Sequence, residues 1–181
     1  ARDDICVLLE EDRLTLVDTI EVRSAPAGHS FGRVPDGKED TFVMSSPTSG
    51  SPNTYGFISP LVVNEIYFHP PHVPPGGGCT LKCSDAYQWI EIWNRSDAEV
   101  DLSGWSFSKG LTFSFPSGQK LAAGRGIVVA ADVSRFRQAH PGVEPVLGPW
   151  SGRLSHSSDT INLRDPLGNR ADHVKYGDGR P

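Results

Sequence analysis

Four side chains able to bind a soft metal lie close together in this sequence: His69 and His72, then Cys79 and Cys83. A His-x-x-His pair followed by Cys-x-x-x-Cys offers the imidazole and thiolate donors that enclose zinc in a tetrahedral site. The same two cysteines lie in a loop rich in Gly and Pro, where a small disulfide is the rival arrangement and leaves Cys6 as a free, buried thiol. Glu65 and Glu91 each interrupt an apolar run, where a carboxylate is costly unless it is paired or hydrogen-bonded. As two acids they carry the chemistry of glycoside hydrolysis. Asp85, Glu91 and Asp101 are hard oxygen donors around turns and form a candidate calcium set, although their spacing is not that of an EF-hand loop. His156-Ser-Ser-Asp159 contains the residue types of a hydrolase triad, but neighbours along one turn cannot generally align nucleophile, base and orienting carboxylate. No Gly-x-Ser-x-Gly elbow, phosphate loop or metalloprotease helix motif occurs. Trp89, Trp93, Trp105 and Trp150 would stack on sugar rings if they were exposed; the alternation with Ile favours the core instead.

These residues need strands to position them. The chain has 181 residues, with 9% aromatics, 19 Gly and 15 Pro, a balance that favours many short strands separated by turns. Its length suits one well-buried core, or one core plus a fragment. In Tyr87-Gln-Trp-Ile-Glu-Ile-Trp-Asn94, Gln88, Ile90 and Ile92 fall on one side of a pleat, and Trp89, Glu91 and Trp93 on the other. Both sides carry bulk, so this strand is expected centrally between layers. Asn94-Arg-Ser-Asp97 and Asp101-Leu-Ser-Gly104 read as turns. Leu111-Thr-Phe-Ser-Phe115 alternates strictly, and Ile127-Val-Val-Ala-Ala131 reads as a buried strand. Asp132 is placed to cap a short helix from Val133 to about His140, ended by Pro141-Gly142, with Phe136 turned inward. That is the one helix predicted. A net charge of −5 without any basic run gives no general attraction to a phosphate backbone, so nucleic acid is not an expected partner. No apolar run is long enough to cross a bilayer, so membrane insertion is not expected. The opening Ala-Arg-Asp-Asp contains neither an initiator Met nor a signal segment, and the chain is expected to be a piece of a longer protein.

The pairing "WIEIWN…VDLSGW", with "LVVNEIYFHPP" upstream and "FSFPSG…LAAGRGIVVAAD" downstream, resembles the lamin tail domain in its bacterial form. The resemblance runs from about Leu61 to Tyr176. It implies an all-β fold, an immunoglobulin-like β-sandwich with one short helix, with strands near Val62, Ile90, Trp105, Phe113, Val128, Ile161 and Val174. It also marks Glu65, Trp89, Glu91, Trp93, Asn94, Asp101, Leu102, Gly104 and Trp105 as structural motif residues. On that basis Glu65 and Glu91 accept hydrogen bonds from loop amides or from Arg95 or Arg125. The histidines among prolines are also explained, which favours a disulfide or reduced Cys79–Cys83 pair over zinc. No cofactor is then expected, with calcium the minor alternative.

The function implied is a non-catalytic structural or interaction module of a larger exported protein, at the cell surface or outside the cell, attaching to a protein or surface ligand. A carbohydrate- or calcium-dependent binding module is the alternative, and a hydrolase accessory domain the third. One further pattern is internal. Asp4-Ile-Cys-Val-Leu-Leu9 and Leu14 to Val22 form a hairpin by pattern that repeats Asp159 to Leu163 and Ala171 to Tyr176. Residues 1–53 thus resemble the end of a preceding copy, 54–60 a linker and 61–181 the domain itself, with Ser24 to Asn53 expected as an extended surface segment. The first hairpin is too small to stand alone and is expected to dock on its own or a neighbouring sandwich.

Overall fold

The computed structural model describes residues 4–22, 25–53, 59–71 and 82–177. It forms two compact units, Ala1–Gly56 and Phe57–Pro181. In the first, β1 (Asp4–Leu9) and β2 (Leu16–Val22) pair antiparallel, and β3 (Ser30–Arg33) pairs with β4 (Thr41–Met44). The turn between β1 and β2 is held by Asp12, whose Oδ1 accepts the N–H groups of Leu14 and Thr15, both at 2.8 Å. The β3–β4 hairpin corrects the expectation of an extended segment: Phe31 and Phe42 supply β propensity, and Asp36-Gly37 makes the reversal with Gly37 at φ +72°. Asn53 then closes this unit. Its N–H donates to Asp36 Oδ1 at 2.9 Å and its Nδ2 to the Arg33 carbonyl at 3.0 Å. Gly32 leaves room for it, since a Cβ there would lie 2.9 Å from Asn53 Nδ2.

The second unit runs β5 (Leu61–Tyr67), α1 (Lys82–Asp85), β6 (Trp89–Asn94), β7 (Val100–Asp101), β8 (Ser106–Phe107), β9 (Leu111–Ser114), β10 (Lys120–Leu121) and β11 (Gly126–Ala130). It continues with α2 (Val133–Ala139), β12 (Val146–Leu147), β13 (Ser151–Gly152), β14 (Ser158–Arg164) and β15 (Arg170–Gly177). Four strands form one sheet in the order β12-β11-β6-β5, five form another in the order β13-β9-β8-β14-β15, and β10 pairs with β7. Leu61, Ile90, Ile92 and Val129 from the first sheet and Phe107, Leu111, Ile161 and Leu163 from the second share one buried cluster. That shared interior is the sandwich. The strand around Ile90 lies between β5 and β11, and its pleat divides as the alternation predicts: Ile90 and Ile92 are buried while Trp89, Glu91 and Trp93 are half-buried.

Three details differ from the expected layout. A four-residue helix, α1, adds a second helical element beside the predicted α2. The latter is capped as expected, Asp132 Oδ1 accepting from the Arg135 N–H at 3.0 Å. Trp105 is buried but precedes its strand, in a turn where its N–H donates to the Leu102 carbonyl at 3.1 Å and Gly104 takes φ +79°. Trp89 and Trp93 are not in the sandwich core. They stand on the outer side of their sheet, where Trp89 joins Phe136, Val128, Ala130 and Val146 in a second, smaller cluster.

Candidate functional site

The strand motif places three residues of each sign of the pleat in different company. On the outer side, Glu65 lies directly across from Glu91, Tyr67 across from Trp89, and Val62 across from Trp93. A bulge between Val63 and Glu65 brings Asn64 to this side, and its Nδ2 donates to Glu91 Oε1. Tyr67 stacks on Trp89 with ring centres 5.6 Å apart, and Phe136 meets Trp89 edge-on at 5.9 Å. Gly126 gives Glu91 and Trp93 their space: a Cβ there would lie 3.0 Å from Glu91 Oε2 and 3.3 Å from Trp93 Cε3. Glu65 is exposed. Arg95, one of the expected donors, is engaged elsewhere: its Nε donates to the Ser59 carbonyl at 2.8 Å. The bulge supplies Glu91 with a neutral donor next door.

The turn residues spend themselves on main chain. Asn94 is fully buried; its Nδ2 donates to the carbonyls of Ala98 and Leu121 at 2.8 and 2.9 Å, and its Oδ1 accepts from Ser96 N–H and Oγ. Asp101 Oδ1 accepts from the N–H and Oγ of Ser103 at 2.8 and 2.6 Å. Those hydrogen bonds, the hydroxyl first, hold its carboxyl below the usual range. Leu102 is fully buried beside it, and Gly104 packs against Pro166, whose Cβ would be 3.1 Å from any added Cβ.

One polar group beside the strand motif does more. Gln88, 1% exposed, donates Nε2 to the carbonyls of Phe68 and Leu154, both at 2.8 Å, and accepts the Leu154 N–H at 3.0 Å. Its signal was a lone amide on the apolar side of a strand, which must find partners when buried.

The suspected metal and catalytic residues are distributed as follows. His156 pairs with Asp85, not with Asp159: its Nε2 lies 2.9 Å from Asp85 Oδ1, near enough for an ion pair when the ring is protonated, but not aligned as a hydrogen bond. Arg153 Nη1 lies 3.7 Å from the other carboxylate oxygen, and the exposed His69 ring stacks on His156 at 4.9 Å. Asp159 instead accepts the Thr160 N–H at 2.7 Å, and Ser157 Oγ faces Ser155 Oγ at 3.2 Å, so the hydrolase order is not assembled. Asp85, Glu91 and Asp101, suggested for calcium, serve three separate neighbourhoods. Among the described residues no group of three acids, histidines or cysteines is placed to hold a metal ion. His72 and Cys79 lie outside the described residues, as does the side chain of Cys83, whose backbone is in α1. Cys6 is exposed rather than buried.

No curated protein matches the chain. The Lamin Tail Domain family model matches residues 58–178, covering the sandwich from before its first strand to beyond its last. This is a family of immunoglobulin-like modules not known for catalysis. With its motif residues on the strands and turns described above, the chain belongs to the lamin tail domain family.

Proposed function

We propose that this chain is a structural and interaction module of a larger exported bacterial protein, attaching it to a protein or cell-surface ligand. The observation that supports this most is where the polar motif residues point: Gln88, Asn94 and Asp101 are bound to loops of their own sandwich. Side chains so engaged are braces, whereas a catalyst leaves nucleophile, base and charge stabiliser converging on open space. The approach of His156 Nε2 to Asp85 Oδ1, at 2.9 Å, also brings the loop before β14 against α1. An extracellular or surface location follows by analogy with the family alone.

Attachment through glycan is the second reading, and the outer side of the β12-β11-β6-β5 sheet favours it. Half-buried Trp93 offers a ring face, and Glu65, Glu91 and Asn64 sit between it and the stacked Tyr67–Trp89 pair as hydrogen-bonding groups. That combination suits a sugar, apolar on one face and rimmed with hydroxyls. A glycan and protein array probed with the intact chain tests both readings. Binding to a protein or a surface polymer supports attachment. Glycan binding abolished by Trp93→Ala selects the second reading, and turnover of ester, peptide, phosphoester or glycoside substrates that Glu65→Gln or Glu91→Gln removes overturns both.

A further inference from the structure

The hairpin β1–β2 and the hairpin β14–β15 have one register. The first pairs Asp4↔Val22 through Leu8↔Asp18, slips by a residue, and resumes at Leu9↔Leu16. The second pairs Asp159↔Tyr176 through Leu163↔Asp172, slips at the same step, and resumes at Arg164↔Arg170. Matched position by position, Cys6 falls on Ile161, Leu8 on Leu163, Asp18 on Asp172, Ile20 on Val174 and Val22 on Tyr176. A slip of one residue would turn the opposite row inward, so a shared bulge at a shared step fixes which row is the inner one.

In the second hairpin the surroundings of that row are known. Ile161 and Leu163 are 0% exposed, Asp172 Oδ2 accepts the Val63 N–H of β5 at 2.7 Å, and the other edge of β14 pairs with β8 through Leu163↔Phe107. In the first hairpin Leu8 is 59% exposed, Cys6 is exposed, and β1 is an edge of a two-stranded sheet. The outer rows differ. Ile5 and Val7 stand where the module has Thr160 and Asn162, so apolar character alone would not identify the inner side; the register does.

We infer that β1–β2 is the closing hairpin of another lamin-tail-like sandwich, and that the rest of that sandwich is what covers its inner row. The partner is therefore specified chemically. It presents a strand that pairs with β1 at Leu8 as β8 does with β14 at Leu163, an apolar layer over Cys6 and Leu8, and a backbone N–H for Asp18. In the present structure Asp18 accepts instead from Arg33 Nη2, at 2.7 Å.

A graft tests this. In the intact chain, residues 158–177 are replaced by residues 3–23, which keeps the register and the bulge. The expected result is a module that still melts cooperatively, in which Leu8→Lys on the inner row lowers Tm by more than about 10 °C while Val7→Lys on the outer row shifts it by less than about 3 °C. A graft without a cooperative transition, or equal effects of the two lysines, overturns the inference. In the unaltered chain, amide exchange is measured alongside light scattering. Residues 5–8 exchanging at least about tenfold faster than residues 160–163 supports it. Equal protection in a monomer would mean that the chain's own module covers the row, and equal protection in a dimer that a second copy does; either result overturns it.

Discussion

Two hairpins of this chain share a backbone plan and differ in what lies over them. In β14–β15 the inner row is sealed between two sheets, while in β1–β2 the corresponding leucine is more than half exposed. Strand pairing and the bulge are thus local properties, set by turn chemistry and alternation. Burial is supplied by other strands. A two-stranded hairpin gains little stability by itself, so its energetics depend on the covering layer.

The sharpest way to break this comparison is to truncate the matched leucines. Leu163→Ala should destabilise its unit by about 2–5 kcal/mol through lost burial and a cavity. Leu8→Ala should change the stability of the first unit by less than about 0.5 kcal/mol. NMR-monitored denaturant titration resolves the two units, and equal losses would show that both hairpins are covered alike. Gln88→Ala comes next. Removing an amide that holds Phe68 and Leu154 leaves buried main-chain groups unpaired, at a cost of about 2–3 kcal/mol, with faster exchange at the Leu154 N–H as the local signature.

A smaller effect distinguishes Tyr176 from its register partner Val22. Burial, and then the Asp159 charge, push the Tyr176 phenol well above its ordinary value, and its hydroxyl donates to the Ser155 carbonyl at 3.0 Å. The folded module holds this proton more tightly than the unfolded chain does. The resulting stabilisation is complete below about pH 10 and declines as pH rises from there toward the raised folded value. Tyr176→Phe should cost about 0.5–1.5 kcal/mol at neutral pH. It should also flatten the alkaline decline, read from urea midpoints against pH. The least effect belongs to Asp18, whose carboxyl is held below its usual range chiefly by the Arg33 hydrogen bond. Its contribution is present above the ordinary carboxylate value of about 3.9 and is lost as pH falls through the lowered folded one. Arg33→Gln should return the Asp18 carboxyl-carbon titration to the ordinary value, and an unchanged titration would show that the contact is absent in solution.

Much of the sandwich was legible because its signals are short-range. The alternation of Ile90 and Ile92 with Trp89, Glu91 and Trp93, the Asp132 cap and the Asp36-Gly37 turn all work within a few residues. The candidate site was less legible. The outer tryptophans were expected in the core because alternation says that two rows differ and not which row faces the other sheet. Asp85 and His156 meet only after the chain has run through both sheets, and Asn64 reaches Glu91 only because a bulge shifts it across the pleat.

The sequence by itself determined the family, the order of strands and the capped helix, since each is written in turn residues and hydrophobic period. Tertiary structure decided which row of each strand was sealed, which partner each buried polar group found, and that Cys6 and Leu8 stand open where Ile161 and Leu163 are closed. The physical reason is that hydrogen-bond register is chosen between adjacent strands, whereas the hydrophobic effect acts on area removed from water by any part of the molecule, however distant along the chain.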